Sequence, residues 1–354
     1  MQLTGIAAEP WVSICIATYQ RPSLLRSTLE ALRSQRFKNF EVIVSDNDPA
    51  ASSQEIVGKY DSRFRYIAND VNVGMVKNFN RAISYARGEY VAMLTDDDPP
   101  TPEFLATLHD LSLRHPGSGA YFGACEVFME SAEAAASYGV EVGRIGFLAD
   151  APEGAVRNFP SKEFPAAFFT GDVFPYILWS TGVVRAEIVR RIGGMPDYGS
   201  PLLTDFAYVL LAGTESGCVT INTILGCQSV HGANSGLTDP HNIEVAVTGC
   251  HEYLSQRLRH RDDWMLLAGL MEKFLATYII SHAIAMRKYL KSIRPNPAKF
   301  RLMKVALGKI FRLNFMRGVR LRYYRVLLKD SLREKLGFLR PSIRLLKRIF
   351  LSRT

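Results

Sequence analysis

A five-residue apolar run, Tyr90 to Leu94, leads through Thr95 into three adjacent acids, Asp96-Asp97-Asp98, and then Pro99-Pro100. Bounded by Gly88-Glu89 and by prolines, such an unbroken run reads as a strand buried on both faces of a parallel sheet. The acids therefore sit at its carboxyl end, where open α/β sheets hold their ligands. Three neighbouring carboxylates repel one another unless water or a cation screens them. Two readings stand. A hard divalent ion shared with nucleotide phosphates would satisfy the charge; alternatively the acids form a loop into the next helix, which Thr101 and Glu103 suit.

The preceding chain supplies matching units. Val12 to Thr18 and Phe40 to Ser45 are apolar runs ending in Tyr19-Gln20-Arg21-Pro22 and Asp46-Asn47-Asp48-Pro49, and Phe64 to Ile67 is a third strand followed by Asn69 to Gly74. Between them, Leu24, Leu25, Thr28, Leu29 and Leu32 recur at helical spacing, a helix is expected near 53–60, and Met75 to Ala86 forms another. This alternation predicts a parallel sheet flanked by helices. Beyond Ala120 the pattern loosens. The reading there is a strand over Tyr121 to Met129, loops from Ser131 to Pro160, and a helix from Val183 to Ile192. A short helix over Thr204 to Ala212 and strand structure over Val219 to Ser229 follow. From His241 onward the chain reads as helical, with helices over Val245 to Leu258 and Trp264 to Leu290 and then pieces broken at prolines and glycine.

Length bounds the chain at one large or two moderate domains, and 47% hydrophobic with 22% charged residues excludes a disordered polymer. Cys15, Cys125, Cys218, Cys227 and Cys250 are scattered, which argues against a disulfide framework or zinc site and for a reducing cytosol. No leader is recognised near Met1. The apolar stretch Phe274 to Met286 reads as too short for a membrane span. The net charge of +9 is unevenly spread: Ala285 to Thr354 holds 21 Lys or Arg against Asp330 and Glu334, a net +19, leaving −10 on the rest. An acidic body with a basic tail separates chemistry from anchoring.

Four loops, beginning at Thr18-Tyr19, Asp46-Asn47-Asp48, Asn72-Val73-Gly74 and Asp96-Asp97-Asp98, leave the carboxyl ends of neighbouring strands and converge on one crevice. Each alone is ordinary turn chemistry. Together, TYQRP, SDND and NVGMVKNFNRAISYARGEYVAMLTDDD stand in an order and spacing that resemble the inverting glycosyltransferases of family 2. The resemblance is strong over 11–110 and looser to about 235. It implies the GT-A fold over 1–240: a mixed, mainly parallel α/β sheet flanked by helices. Residues 241–354 are then a helical, strongly basic C-terminal region.

The resemblance implies roles residue by residue. Thr18, Tyr19, Arg21, Asp46, Asn47, Gly74, Lys77, Asp96 and Asp97 fall to the nucleotide sugar, and Asp98 to Mg²⁺ or Mn²⁺ on the donor diphosphate. Thr95 stands where the family often has an acid, so the division of labour among the three acids stays open. Lys77 and Arg81 equally suit a solvated helix face. In PLLTDFAY, Asp205 takes the general-base position, with a helix cap as its alternative. Trp179 and Thr181 fall in the acceptor segment, although Trp179 suits a core equally well. His231, in QSVHGANS, matches a loop that closes over the diphosphate in some members, or is structural.

The tail interleaves Phe300, Leu302, Val305, Ile310, Phe311, Tyr323 and Tyr324 with Lys and Arg, a pattern suited to lying on an anionic bilayer. Nucleic acid and a plain helical bundle are the competing readings. The expectation is a metal-dependent inverting enzyme, peripheral on the cytoplasmic face of a bacterial membrane. It would extend a lipid-linked saccharide, as in O-antigen or capsule synthesis, without nucleic acid as a partner. A non-catalytic binding scaffold and a nucleotidyltransferase are the rivals; a dinucleotide-dependent oxidoreductase is disfavoured because TYQRPS lacks GxGxxG.

Overall fold

The computed structural model describes residues 9–138, 140–146, 151–173, 179–230 and 240–316, with further helical residues between 320 and 328. Strands β1 (Val12–Thr18), β2 (Phe40–Asp46), β3 (Phe64–Ala68) and β4 (Tyr90–Thr95) pair in parallel in the spatial order β3-β2-β1-β4. Helices α1 (Pro22–Arg33), α2 (Gln54–Val57) and α3 (Met75–Ser84) connect them. Every residue of β1 and β2 is buried, which explains their unbroken apolar character. Ile14, Ile16, Val42, Val44, Ala92 and Leu94 face one side with Leu25, Leu29 and Leu32 of α1. Cys15, Ala17, Ile43, Val91 and Met93 face the other with Val76, Phe79 and Ala82 of α3. Each buried leucine of α1 contributes about 1.5–3 kcal/mol.

The sheet continues through α4 (Phe104–Arg114) to β5 (Ala120–Met129), then α5 (Ala132–Tyr138), β6 (Gly143–Gly146), β7 (Val156–Phe159), α6 (Phe164–Thr170), β8 (Gly182–Arg185), α7 (Ala186–Ile192), α8 (Thr204–Ser216) and β9 (Cys218–Val230). Its full order is β3-β2-β1-β4-β8-β5-β9-β7, with β6 on β5. Strand β8 runs antiparallel to both β4 and β5, whereas β5 and β9 are parallel. Two expectations are corrected here. The stretch from Ser131 to Pro160 is not only loop: it contains α5, β6 and β7. The helix expected over Val183 to Ile192 begins only at Ala186, because Gly182–Arg185 pairs with two strands first.

Three long helices follow: α9 (His241–Leu258), α10 (Trp264–Lys288) and, after a π-helical turn at Tyr289–Ile293, α11 (Pro297–Ile310). Asn296 caps α11 by accepting the Lys299 amide at 3.0 Å. Ala246, Cys250 and Leu254 of α9 and Leu267, Met271 and Leu275 of α10 enter the same core as Cys15, Ile43 and Met93 of the sheet. A further core joins Ile243, Val247, Ile279, Ile280 and Met286 to Met303, Leu307 and Ile310 of α11. The apolar stretch judged too short for a span lies inside a longer helix. By length and composition alone, Trp264–Lys291 is long and apolar enough to cross a membrane, and part of it is buried against the protein.

Candidate active site

The register fixes where the site lies. Thr18 pairs with Asp46, and Ala17 pairs with Thr95, so the loops after β1, β2 and β4 emerge side by side. They border a cavity of about 550 Å³, whose wall also takes residues from 201–205, from the end of β9 and from α10.

The acidic triplet forms one part of the wall. Thr18 Oγ1 donates to Asp96 Oδ2 at 2.8 Å, and Thr28 Oγ1 donates to the Asp96 carbonyl at 3.0 Å. Arg21 reaches from the start of α1 to Asp96 at 3.4 Å and Asp97 at 3.1 Å. Asp98 Oδ1 accepts the Ser229 amide at 2.8 Å, tying β4 to the end of β9. Burial, then the neighbouring Asp97 charge, pushes Asp96 up to about 6 despite Thr18 and Arg21. The same two causes raise Asp98 well above the ordinary carboxylate range, against the Ser229 amide. Both shifts describe carboxylates withdrawn from water and crowded together.

An amide network shapes the next part. Asn47 Nδ2 donates to Asn72 Oδ1 at 2.7 Å, and Asn47 Oδ1 accepts the Val73 amide at 2.9 Å. Asn78, buried on α3, donates to the Ser45 carbonyl at 2.9 Å and accepts Ser45 Oγ and Asn69 Nδ2, each at 2.7 Å. The loop enters α3 through Gly74 at φ +86°, a conformation an L side chain resists although open space surrounds its Cα. Asp46 lies beneath this surface. Its carboxylate accepts the Asp48 and Ser53 amides, each at 3.0 Å, and the Tyr66 hydroxyl at 3.0 Å.

Asp205 arrives from the first turn of α8, half-buried on the cavity wall. Burial raises it to about 6, while the amides of Phe206 and of Asp205 itself pull the other way. Leu203 just before it adopts φ +72°, a left-handed conformation costing a bulky L residue about 1–2 kcal/mol. That turn is held by the burial of Leu203 itself, 1% exposed. Trp179 reaches the wall while packing edge-on against Phe79, centroids 4.8 Å apart, so it has both a core and a cavity-facing part.

The structure thus brings Thr18, Tyr19, Arg21, Asn47, Gly74, Asp96, Asp97, Asp98, Trp179 and Asp205 to one cavity. Four expected residues stand elsewhere. Asp46 organises the loop below the wall, for its oxygens are taken by amides and a phenol. Lys77 is exposed on the solvent side of α3, away from the wall, and Arg81 likewise turns out, donating to the Ala68 carbonyl at 3.2 Å. Thr181 is fully buried and donates to the Gly123 carbonyl at 2.8 Å. His231 lies outside the described residues. Sequence reasoning missed Asn78, Tyr278 and His282 on the wall. Asn78 carried a signal, a polar residue on the apolar face of a helix; the other two carried none, since only packing of α10 brings them here.

Among the described residues, no three His, Cys, Asp or Glu converge as a metal cage. The donor set still fits Mg²⁺ or Mn²⁺. Mg²⁺ in nucleotide sites takes one or two carboxylates and completes its shell with phosphate oxygens and water. Asp96 and Asp98, buried beside Asp97, offer carboxylates of that kind.

The family model "Glycosyl transferase family 2" matches residues 13–190, about half the chain. Among curated relatives, the Campylobacter jejuni GalNAc(5)-diNAcBac-PP-undecaprenol beta-1,3-glucosyltransferase is 28% identical over 169 residues, covering 47% of this chain and 50% of that protein. The Escherichia coli UDP-Glc:alpha-D-GlcNAc-diphosphoundecaprenol beta-1,3-glucosyltransferase WfaP is 36% identical over 88 residues, 25% of this chain and 35% of that one. The matched regions span half or less of the length of these relatives. Among solved structures, S. aureus TarS 1-349 with UDP-GlcNAc superposes at a TM-score of 0.57 with 16% identity, over 85% of this chain and 80% of that one, a likeness of fold alone. The parallel β1–β4 half-sheet, the acidic triplet at its carboxyl edge and the family match over the same residues agree: the fold is GT-A, and the chain belongs to glycosyltransferase family 2.

Proposed function

We propose that the chain transfers a hexose or deoxyhexose from a nucleotide-sugar donor to a hydroxyl of a lipid-linked saccharide, inverting the anomeric carbon. The observation that carries this reading is one cavity holding both the acidic triplet and the raised carboxylate of Asp205. Tyr19, Asn47 and the Gly74 turn would take the nucleoside, and Arg21 with Thr18 would hold Asp96 and Asp97 in place, Asp97 toward the ribose. Asp98, with Asp96, would hold Mg²⁺ or Mn²⁺, which when bound supplies Lewis-acid stabilisation of the leaving diphosphate. Asp205 accepts the proton of the acceptor hydroxyl as that oxygen bonds to the anomeric carbon and the bond to the diphosphate oxygen breaks. A carboxylate with pKa about 6 is ionised at neutral pH yet more basic than a free aspartate, which suits it to that step.

The lipid-linked acceptor is supported by the named activities of the two relatives, both of which act on undecaprenol-diphosphate-linked sugars. An anionic membrane surface fits the outer side of α11, where Arg301 and Lys304 are exposed beside Leu302 and Val305, 59% and 58% exposed. Met303, Ala306, Leu307 and Ile310 bury the inner side. This would place the enzyme on the cytoplasmic face of the membrane.

The test is transfer itself. The purified chain is incubated with a panel of nucleotide sugars and a synthetic GlcNAc-diphosphate-lipid, and products are read by mass spectrometry and the new anomeric configuration by NMR. One donor should be used with inversion, and Asp205→Asn should lower turnover by about 10²–10⁴-fold. Nucleotide binding without turnover for any donor would favour a non-catalytic scaffold.

A further inference from the structure

The cavity has a chemically different wall that the family match does not cover. Tyr278 and His282 on α10 face it, far outside residues 13–190. Four residues apart, they share one side of the helix. Their rings are parallel within 6°, with centroids 6.0 Å apart. Phe206, the neighbour of Asp205, meets Tyr278 edge-on at 5.2 Å and is itself backed by Phe274 at 5.8 Å. The tyrosine ring is therefore fixed against the helix that carries Asp205.

A pyranose offers two chemistries to such a wall. Its ring C–H groups make an apolar face that lies well against the electron-rich face of an aromatic ring. Its equatorial hydroxyls project at the rim, where a phenol O–H and an imidazole nitrogen exchange hydrogen bonds. The wall bearing Asp96, Asp97, Asp98 and Arg21 is by contrast made of carboxyl groups and a guanidinium and suits a diphosphate and its ion. We propose that Tyr278 and His282 form the platform on which the acceptor saccharide ring lies, positioning its hydroxyl toward Asp205. This inference rests on the transferase reading and assigns acceptor choice to the C-terminal helices.

The experiment compares full-length wild type with Tyr278→Phe, Tyr278→Ala and His282→Ala. Binding of UDP, GDP, CDP and dTDP with Mg²⁺ is measured by calorimetry. Rates are measured with nitrophenyl glycosides of glucose, galactose, N-acetylglucosamine and rhamnose as acceptors. Tyr278→Ala and His282→Ala should raise the acceptor KM by about tenfold or more, the cost of roughly one lost ring or hydrogen-bond contact. Donor KM and nucleotide Kd should stay within about twofold, and Tyr278→Phe, which keeps the ring, should retain most acceptor affinity. Should Tyr278→Ala fail to fold, the other two variants carry the comparison. An unchanged acceptor KM, or an equal loss of nucleotide affinity, overturns the platform. So does a wild type that binds nucleotide but uses none of the glycosides. A wild type that binds no nucleotide overturns the transferase reading beneath it.

Discussion

Replacing Asp205 with asparagine should make the protein more stable and less active at once. Burial raises this carboxyl from 3.8 to about 6. With the folded pKa above the unfolded one, the folded state binds more protons between those values. The ionised side chain therefore costs stability above pH 6, and the cost fades as pH falls through 6 toward 4. At 1.36 kcal/mol per tenfold in proton affinity, the full shift corresponds to about 3 kcal/mol. Asp205 borders an open cavity and is only half-buried, so water screens the charge and about 1–2 kcal/mol is the better figure. Urea unfolding of wild type and Asp205→Asn at pH 8 should show the variant more stable by that amount, with the difference vanishing near pH 4. The same substitution should lower transfer by about 10²–10⁴-fold, the usual worth of a general base, without changing nucleotide affinity. The wild-type rate under saturating donor should decline below pH about 6. A variant less stable at pH 8 would refute the reasoning. It would make the carboxylate a favourable charge at the helix start, a role worth about 0.3–1 kcal/mol in the opposite direction.

Two further predictions concern regions away from the reacting atoms. Glu41, buried at the amino end of β2, accepts Ser13 Oγ at 2.7 Å, Arg87 Nη2 at 2.7 Å and Arg65 Nη1 at 2.9 Å; burial pushes its carboxyl up, but these bonds together hold it below the ordinary value. Glu41→Ala should cost about 1.5–3 kcal/mol in thermal or urea unfolding while leaving nucleotide affinity intact, because the site is at the other end of the strand. The protein should also sediment with vesicles containing phosphatidylglycerol but not with phosphatidylcholine vesicles. Binding should weaken in high salt and in the double variant Leu302→Glu, Val305→Glu; vesicle binding indifferent to both would contradict a surface-lying helix.

The first half of the fold was readable because strands β1, β2 and β4 are buried on both faces and its loops punctuate them with Asp, Asn and Pro. Strands β6 and β7 were not readable, since four residues each become strands only by pairing with β5 and β9. Strand β8 hid because GVVR runs into AEIVRRI with no breaker between them. At the site, the sequence identified loops but not side-chain direction. Asp46 and Asn47 are adjacent, yet one points into the loop's own amides and the other onto the wall. Lys77 and Asn78 divide in the same way across one helix, exposed against buried. Tyr278 and His282 required knowing that α10 folds back over the sheet, which no local pattern encodes.

The central claim is a nucleotide-sugar donor site at the acidic edge of the sheet, and calorimetric binding of UDP, GDP, CDP and dTDP, with and without Mn²⁺, tests it most directly. One nucleotide should bind, Mn²⁺ should tighten it by about tenfold or more, and Asp98→Ala should remove the metal effect. Binding of none of them with metal present, or binding indifferent to both Mn²⁺ and Asp98, would contradict it.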